Sequence, residues 1–260
     1  MRKIKIHRRE QEYIELDNLN IHPEEEGTTR ALIRGMAAQF KDMGVEIGGF
    51  VFIDFKDTIN PVIEKHECDF EEGGLKLIIT DTKGSHADLT DDYVSVPSEM
   101  KLVAAQFGKK VLREVEEEKF YELLKQLRTT CTDRAILRAA HYYGDNKRVS
   151  QEVNALDRKD FAEFLRLVRE SGRSSAQLLQ NLYSTKKPAE QGIPLALMVS
   201  ERILGNQGAF RVHGGGFAGT MQAFVPVDLV EEYKAAMASL FGEGCCYVLD
   251  IRSVGGCQVI

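Results

Sequence analysis

The segment with the clearest chemical potential spans residues 211–220 and reads RVHGGGFAGT. Because glycine has no side chain, its backbone can approach a phosphate closely and direct successive N–H groups at it. Gly214, Gly216 and Gly219 satisfy the spacing GxGxxG, and residues 213–217 read HGGGF. The segment therefore predicts either a phosphate-binding loop or a tight turn in which the glycines only supply positive φ angles.

Three enzyme classes that use glycine loops are excluded by the surrounding sequence. A dinucleotide-binding fingerprint must open a helix, whereas residues 221–225 continue as a predicted strand. A lipase or esterase needs a GxSxG nucleophile elbow, which the sequence does not contain. A protein kinase needs V-A-I-K, H-R-D and D-F-G elements, and these are missing too. Spacing alone then favours the tight turn over a ligand site.

Strands and helices in an α+β order position this loop. The predicted strands are residues 3–7, 13–16, 50–55, 61–68, 75–79, 209–213, 220–225 and 245–251, and helices fill 28–43, most of 97–204 and the segment after 226–228. One helix is predicted to begin with the capping pair Asp160 and Glu163 and to end at Gly172. Another is predicted to begin with Asp228 and Glu231 and to end at Gly242. From residue 75 onward the order is β-α-β-β-α-β with a helical insertion, which is the ferredoxin-like arrangement.

Composition limits the classes of partner. The 260 residues carry 34 basic and 40 acidic side chains, and a net charge of -6 argues against a general nucleic-acid binder. No apolar run approaches the ~20 residues that cross a bilayer. The basic start at residues 1–9 has no apolar segment behind it, so we expect neither a membrane span nor a secretory signal. Five cysteines without CxxC spacing favour reduced thiols in a cytoplasm.

One acidic segment has residue types that can bind a metal. His86 lies in sequence among Asp81, Asp88, Asp91 and Asp92. A metal site needs several ligands in a fixed geometry, and a single histidine in an acidic loop is more often solvated. The sequence therefore predicts no metal site here.

Several stretches together resemble the galactokinase branch of the GHMP kinase superfamily. Residues 211–226 resemble its third conserved motif. Residues 31–38, 53–57, 80–93 and 170–175 resemble further stretches of bacterial galactokinase-type proteins, in the same order. The resemblance extends over essentially the whole chain.

The resemblance implies an α+β fold, with residues 1–72 as a remnant of a GHMP-kinase N-terminal lobe and residues 73–260 as its ferredoxin-like C-terminal lobe. It implies a cytoplasmic enzyme that transfers the γ-phosphoryl group of ATP, with Mg²⁺, to the anomeric hydroxyl of galactose. It also implies that Tyr93 contacts the sugar. The loop that would lie beside the active site and face the phosphates consists of Gly214, Gly215, Gly216, Phe217, Ala218 and Gly219.

Three family motifs have no counterpart in the sequence. They are the N-terminal motif with the sugar-binding Glu, His and Asp, the GLSSSAA-type loop that cradles the triphosphate, and the motif with the catalytic aspartate. The last two would lie between the equivalents of Phe50 and Val51, which are fused directly here. Relatives look as though they carry Gly-Gly-Phe at both ends of that segment, and this chain has one copy there, at residues 48–50. We therefore hypothesise a deletion across this short repeat. Sequencing the gene with its flanks tests this, and intact reading frames around both missing segments would contradict it.

The departures leave more than one function open. The main expectation is a galactokinase-type kinase that is impaired or inactive as this isolated chain, because phosphoryl transfer depends on positioning and charge stabilisation. A complementing chain could carry the missing motifs. The alternatives are a non-catalytic sugar-binding or interaction protein, and a truncated pseudoenzyme.

Overall fold

A computed structural model describes residues 3–7, 11–15, 50–57, 60–85 and 88–249. The chain divides into two compact units, Asp69–Asp250 and a second unit of Met1–Cys68 with Ile251–Ile260. The predicted helix at 28–43, the junction glycines Gly48 and Gly49, and His86 lie outside the described residues.

The N-terminal unit contains two antiparallel strand pairs. Strand β1 (Lys3–His7) pairs with β2 (Gln11–Glu15), so that Ile4 lies opposite Ile14. Strand β3 (Phe50–Asp54) pairs with β4 (Val62–His66). The strands predicted at residues 3–7 and 50–55 are confirmed.

The larger unit is built on a four-stranded antiparallel sheet. Its strands are β5 (Leu75–Asp81), β6 (Ala209–Val212), β7 (Thr220–Pro226) and β8 (Cys246–Leu249), in the spatial order β6-β7-β5-β8. This order, with helices between β5 and β6 and between β7 and β8, is the predicted ferredoxin-like arrangement. The α+β class is therefore confirmed for this unit.

Helices fill the connections of this sheet. In chain order they are α1 (Thr90–Ala105), α2 (Glu117–Glu122), α3 (Leu124–Thr130), α4 (Asp133–Asp157), α5 (Phe161–Ser174), α6 (Gly192–Leu204) and α7 (Val230–Phe241). Short 3₁₀ turns lie at Leu112–Glu114 and Val227–Leu229, and a π-helical turn at Ser175–Leu179 follows α5 directly.

Sequence signals predict some helix limits and miss others. The Asp160 side chain accepts a hydrogen bond from the Glu163 N–H at 3.1 Å, as expected of a capping residue. Gly242, with φ +87°, ends α7 in agreement with the prediction. The predicted cap at Asp228 is wrong, because Asp228 lies within a 3₁₀ turn and no side chain caps α7.

The prediction that Gly172 ends α5 is also wrong, because the helix continues through it to Ser174. A Cβ atom at Gly172 would lie 2.8 Å from the Phe210 carbonyl oxygen and 3.1 Å from the Arg211 Cβ. The glycine therefore lets α5 pack closely against strand β6.

The hydrophobic cores formed by the described residues of the larger unit include the following two. One lies between the sheet and helices α6 and α7, and includes Ile78, Ile193, Met221, Tyr233 and Met237. The other lies among the helices of the insertion, and includes Val103, Phe120, Leu127, Ala139 and Tyr143. Within the described ranges, no helix combines the length and the apolar character that crossing a bilayer requires.

Candidate functional site

The glycine loop joins two neighbouring antiparallel strands. Residues 213–219 connect β6 to β7, and the His213 N–H donates to the Thr220 carbonyl at 3.1 Å. Positive φ angles occur at Gly214 (+64°), Gly216 (+79°), Phe217 (+63°) and Gly219 (+84°). The strand after the loop agrees with the exclusion of a dinucleotide-binding fingerprint, which needs a helix there.

Tyr93 and Asn181 hold the loop from one side. The Tyr93 hydroxyl donates to the Gly216 carbonyl at 2.9 Å, and the Asn181 Nδ2 donates to the Gly215 carbonyl at 3.1 Å. The Phe217 N–H donates to the Asn181 carbonyl at 2.6 Å. The Tyr93 ring also packs edge-on against the Phe217 ring, with centroids 5.4 Å apart. The carbonyl groups of Gly215 and Gly216 are therefore fixed.

This packing leaves no space for side chains at two of the glycines. A Cβ at Gly215 would lie 2.8 Å from the Tyr93 Cε1, and a Cβ at Gly216 would lie 2.1 Å from the Asn181 carbonyl oxygen. The glycines therefore do more than permit positive φ angles, since they also allow the loop to lie directly on Tyr93 and Asn181.

The end of strand β5 holds the other side of the loop. The Gly219 carbonyl accepts hydrogen bonds from the Thr82 N–H at 2.9 Å and from the Thr82 hydroxyl at 2.7 Å. A Cβ at Gly84 would lie 3.1 Å from the Gly219 N. The segment that follows β5 therefore runs alongside the loop.

Backbone donors remain available on the loop. Within the part of the chain that the structure describes, the N–H groups without an acceptor include those of Gly214, Gly215, Gly216, Ala218 and Gly219. Successive unpaired N–H groups in a turn with alternating backbone handedness form the kind of concavity that binds anions. The exposed part of the loop, at Gly214 and Gly215, can therefore donate to a phosphate or carboxylate group.

A cavity of about 330 Å³ lies beside the loop, within the larger unit. Its size is at the lower end of the range for small-molecule sites. Its lining combines buried apolar side chains with hydroxyl and charged groups: Thr82, Lys83, Gly84, Ser85, Leu89, Leu182, Ser184, Lys187, Glu190, Gly192, Ile193, Phe217 and Ala218.

Two ion pairs involve Lys83 of the cavity lining and Lys186, which precedes the lining residue Lys187. The Lys83 ammonium lies 2.9 Å from an Asp81 carboxylate oxygen, and this hydrogen bond raises the pKa of Lys83. Asp91 pairs with Lys186 at 2.6 Å, which lowers the pKa of Asp91. Asp81 is partly exposed and the other three groups are exposed, so each pair contributes little to stability.

Three of the four acidic residues near His86 in sequence are engaged with other side chains. Asp81 and Asp91 form the ion pairs above, and Asp92 accepts a hydrogen bond from the Ser184 hydroxyl at 2.7 Å. Across residues 3–7, 11–15, 50–57, 60–85 and 88–249, no three His, Cys, Asp or Glu side chains form a cluster that could hold a metal ion.

A polar network anchors strand β6 just before the loop. The Arg211 guanidinium donates to the Ser171 hydroxyl, which donates to an Asp145 carboxylate oxygen at 2.6 Å. His141 shares a hydrogen bond of 2.8 Å with the Ser174 hydroxyl. Burial lowers the pKa of His141, and burial also lowers the pKa of His213 at the start of the loop. Arg211 is therefore a structural anchor in this structure.

The structure brings together the residues singled out from the sequence. Tyr93 lies in the first turn of α1, partly buried, and contacts the loop directly. Burial raises its pKa. Sequence reasoning misses Asn181 and Thr82, because each acts through contacts with residues distant in the chain. The only local signal at Asn181 is the preceding Gln180, whose left-handed backbone (φ +58°) ends the π-helical turn.

The chain is similar in sequence to proteins of known activity. No protein-family model matches the chain. It is 30% identical over 164 residues (63% of the chain) to a galactokinase of Mannheimia succiniciproducens, and 28% identical over 165 residues (64%) to a galactokinase of Actinobacillus pleuropneumoniae. These matches cover 40% and 41% of those two proteins, so the chain spans about two fifths of the relatives' length.

A solved structure supports the same relationship at the level of the fold. The crystal structure of Lactococcus lactis galactokinase complexed with galactose matches with a TM-score of 0.62 at 18% identity, over 88% of this chain and 61% of that chain. The predicted resemblance to galactokinases is confirmed, and so is the GHMP-kinase-like fold.

Proposed function

We propose that this chain takes part in galactokinase-type phosphorylation of a sugar, with the glycine loop facing the phosphates and Tyr93 facing the sugar. The observation that carries the proposal is the set of unpaired N–H groups on a loop whose carbonyls are held by Tyr93 and Asn181. The galactokinase relatives support the substrate class.

In such a reaction the γ-phosphoryl group of ATP moves to the anomeric oxygen of galactose, ADP leaves, and the hydroxyl proton is released. The loop would donate N–H groups to phosphate oxygens and stabilise their charge without moving, because its backbone is already fixed. The Tyr93 hydroxyl donates to the Gly216 carbonyl, and a phenolic oxygen can accept a hydrogen bond as well as donate one. A tyrosine is protonated at neutral pH, and burial raises the pKa of Tyr93 further.

The residues of the described ranges fit a phosphate group but not a resident Mg²⁺. Unpaired N–H groups suit one phosphate, whereas no cluster of three acidic or other ligating side chains occurs within these ranges. When bound, the ion would neutralise phosphate charge. The chain's own contribution in this proposal is limited to binding and orienting.

The proposal also includes impaired catalysis by the isolated chain. The phosphate-cradling loop and the catalytic aspartate have no counterpart between Phe50 and Val51. Removing one charge-stabilising donor typically costs about 10²–10³ in rate, so the loss of a whole cradle and a base costs more. A second chain that carries these motifs would restore activity. In the same proposal, residues 1–72 and 73–260 are the two lobes, and the enzyme is cytoplasmic.

A second candidate function is sugar binding without catalysis. Two observations favour it in a sequence without a triphosphate cradle. Tyr93 is present, and its ring packs against Phe217, which lines the cavity. A truncated pseudoenzyme without any ligand is the third alternative.

Titration calorimetry with galactose and with Mg-ATP separates these functions. The proposed function predicts that the chain binds both. Sugar binding alone would favour the non-catalytic protein, and binding of neither would contradict both proposals. We expect Gly216→Ala to weaken Mg-ATP binding at least tenfold, because its Cβ would displace Asn181.

Gly74→Ala is the matched control for this variant. Gly74 has a similar positive φ of +65°, but nothing lies within 4 Å of a Cβ placed there. It carries the same backbone strain, of about 1 kcal/mol, away from the loop. Equal losses of nucleotide binding in the two variants would contradict the role of the loop.

A further inference from the structure

A buried arginine lies behind the residues that hold the glycine loop. Arg138 of α4 is 1% exposed. Its Nη1 donates to the Ser95 hydroxyl and to a Glu99 carboxylate oxygen, both at 2.9 Å, and its Nε donates to the Leu179 carbonyl at 3.1 Å. One guanidinium therefore connects α4, α1 and the π-helical turn.

Stability alone does not explain a charge at this position. Burying a guanidinium is costly, and a buried ion pair can often be replaced by apolar residues without loss of stability. Burial lowers the pKa of Arg138, and Glu99 opposes this effect. An apolar side chain has no N–H groups. The guanidinium has several in a fixed planar arrangement, so it can hydrogen-bond to two separate elements at once.

The two elements that Arg138 connects are those that carry the loop's contacts. Ser95 lies two residues after Tyr93 in α1, and Leu179 lies two residues before Asn181. Between Leu179 and Asn181, the Gln180 N–H donates to the Ser175 carbonyl at 2.8 Å. The position of Asn181 therefore follows from that of Leu179.

We propose that Arg138 is a positioning residue for the glycine loop. It acts through Ser95 and Leu179 to place Tyr93 and Asn181, and these fix the carbonyls of Gly215 and Gly216 so that the loop is preformed. Among the described residues, Arg138 hydrogen-bonds to Ser95, Glu99 and Leu179, none of which belongs to the loop. The inference rests on the proposed function only in treating this loop as the phosphate-facing element.

The test measures hydrogen exchange of single amides by NMR in the full chain. The reporter is the Phe217 N–H, which donates to the Asn181 carbonyl. In Arg138→Met we expect this amide to exchange at least about tenfold faster. The variant loses a hydrogen bond from a charged group, which lowers the free energy of local opening enough to raise the exchange rate by this factor.

A double variant separates positioning from stability. Arg138→Met with Glu99→Met removes both buried charges, so global stability should largely recover. Arg134 is the other partner of Glu99. Its side chain is 42% exposed, so water can solvate its charge when the Glu99 carboxylate is removed. Because the Leu179 carbonyl still lacks its donor, the Phe217 amide should remain fast in the double variant.

Leu127→Ala is the control for general destabilisation. Leu127 is 2% exposed in the helical core, and its aliphatic side chain forms no hydrogen bonds. It should leave Phe217 exchange unchanged under native conditions. The proposal is overturned if the double variant recovers Phe217 protection together with stability, or if Leu127→Ala accelerates that amide equally.

A parallel titration of the wild-type chain with inorganic phosphate tests the proposed function separately. Shifts of the Gly214 and Gly216 amides would support phosphate binding at the loop. Their absence would contradict phosphate binding and leave the exchange result on Arg138 intact.

Discussion

Asn181 links the loop to the rest of the molecule through three separate contacts. Its side chain donates to Gly215, its carbonyl accepts from Phe217, and its backbone leaves no space for a side chain at Gly216. Its Oδ1 atom is buried and has no hydrogen-bond partner among the residues that the structure describes. Burying an oxygen atom without a hydrogen bond costs free energy. The contacts of Asn181 with the loop therefore outweigh this penalty.

A second residue, Glu152 of α4, gives a pH prediction. Burial raises its pKa from 4.5 to about 7, near Asp145, Arg148 and Arg211. A carboxyl with a higher pKa in the folded state binds more protons there. Its stabilising contribution is complete below the unfolded pKa of 4.5 and is lost as the pH rises to about 7.

We therefore expect Glu152→Gln to gain about 2 kcal/mol in unfolding free energy relative to wild type between pH 5 and pH 8. Urea unfolding at the two pH values measures this. His141, whose pKa is lowered by burial, has the opposite pH dependence, but it is present in both proteins and cancels. A pH-independent difference between the two proteins would be incompatible with a raised pKa of Glu152.

At this scale the sequence identifies the loop glycines and Tyr93 but not their partners. Glycine spacing and family resemblance are visible in the chain itself. The contacts of Thr82 with Gly219 and of Asn181 with Gly215 join residues far apart in sequence, 137 apart in the first case and 34 in the second. Such contacts depend on packing, which no local pattern encodes.

The contact between α5 and β6 is the clearest feature at the scale of elements. The sequence predicts that Gly172 ends a helix, because glycine is common there. Glycine also occurs where two backbones approach closely, and a Cβ on Gly172 would lie only 2.8 Å from the Phe210 carbonyl oxygen, so this second reason applies. Sequence alone does not distinguish the two.

This contact predicts opposite effects for two helix glycines. Alanine in a helix interior is intrinsically better than glycine by about 1 kcal/mol. At Gly172 the clash with β6 should outweigh this gain, so we expect Gly172→Ala to lose about 1–2 kcal/mol of unfolding free energy. Urea unfolding with a matched variant measures the difference.

Gly144→Ala in α4 is that matched variant. Its Cβ would meet only the end of the Arg148 side chain, at 3.2 Å, which can move. We expect this substitution to be neutral or stabilising. If Gly172→Ala were as stable as Gly144→Ala, the close packing of α5 on β6 would be refuted.

At the scale of the whole molecule, the order of elements is predictable and the function only in part. The β-α-β-β-α-β pattern follows from hydrophobic periodicity and turn residues, and the sheet order β6-β7-β5-β8 agrees with it. The galactokinase relationship follows from motifs spread along the chain and from the fold. Impaired activity is our proposal, because three motifs that the family resemblance leads us to expect have no counterpart in this sequence.

We propose, as the central claim, that the chain carries a galactokinase-like glycine loop but cannot transfer a phosphoryl group on its own. The most direct measurement is galactose-dependent release of ADP from Mg-ATP by the purified 260-residue chain. We predict no rate above that of a blank without galactose. A robust galactose-dependent rate from this chain alone would contradict the claim.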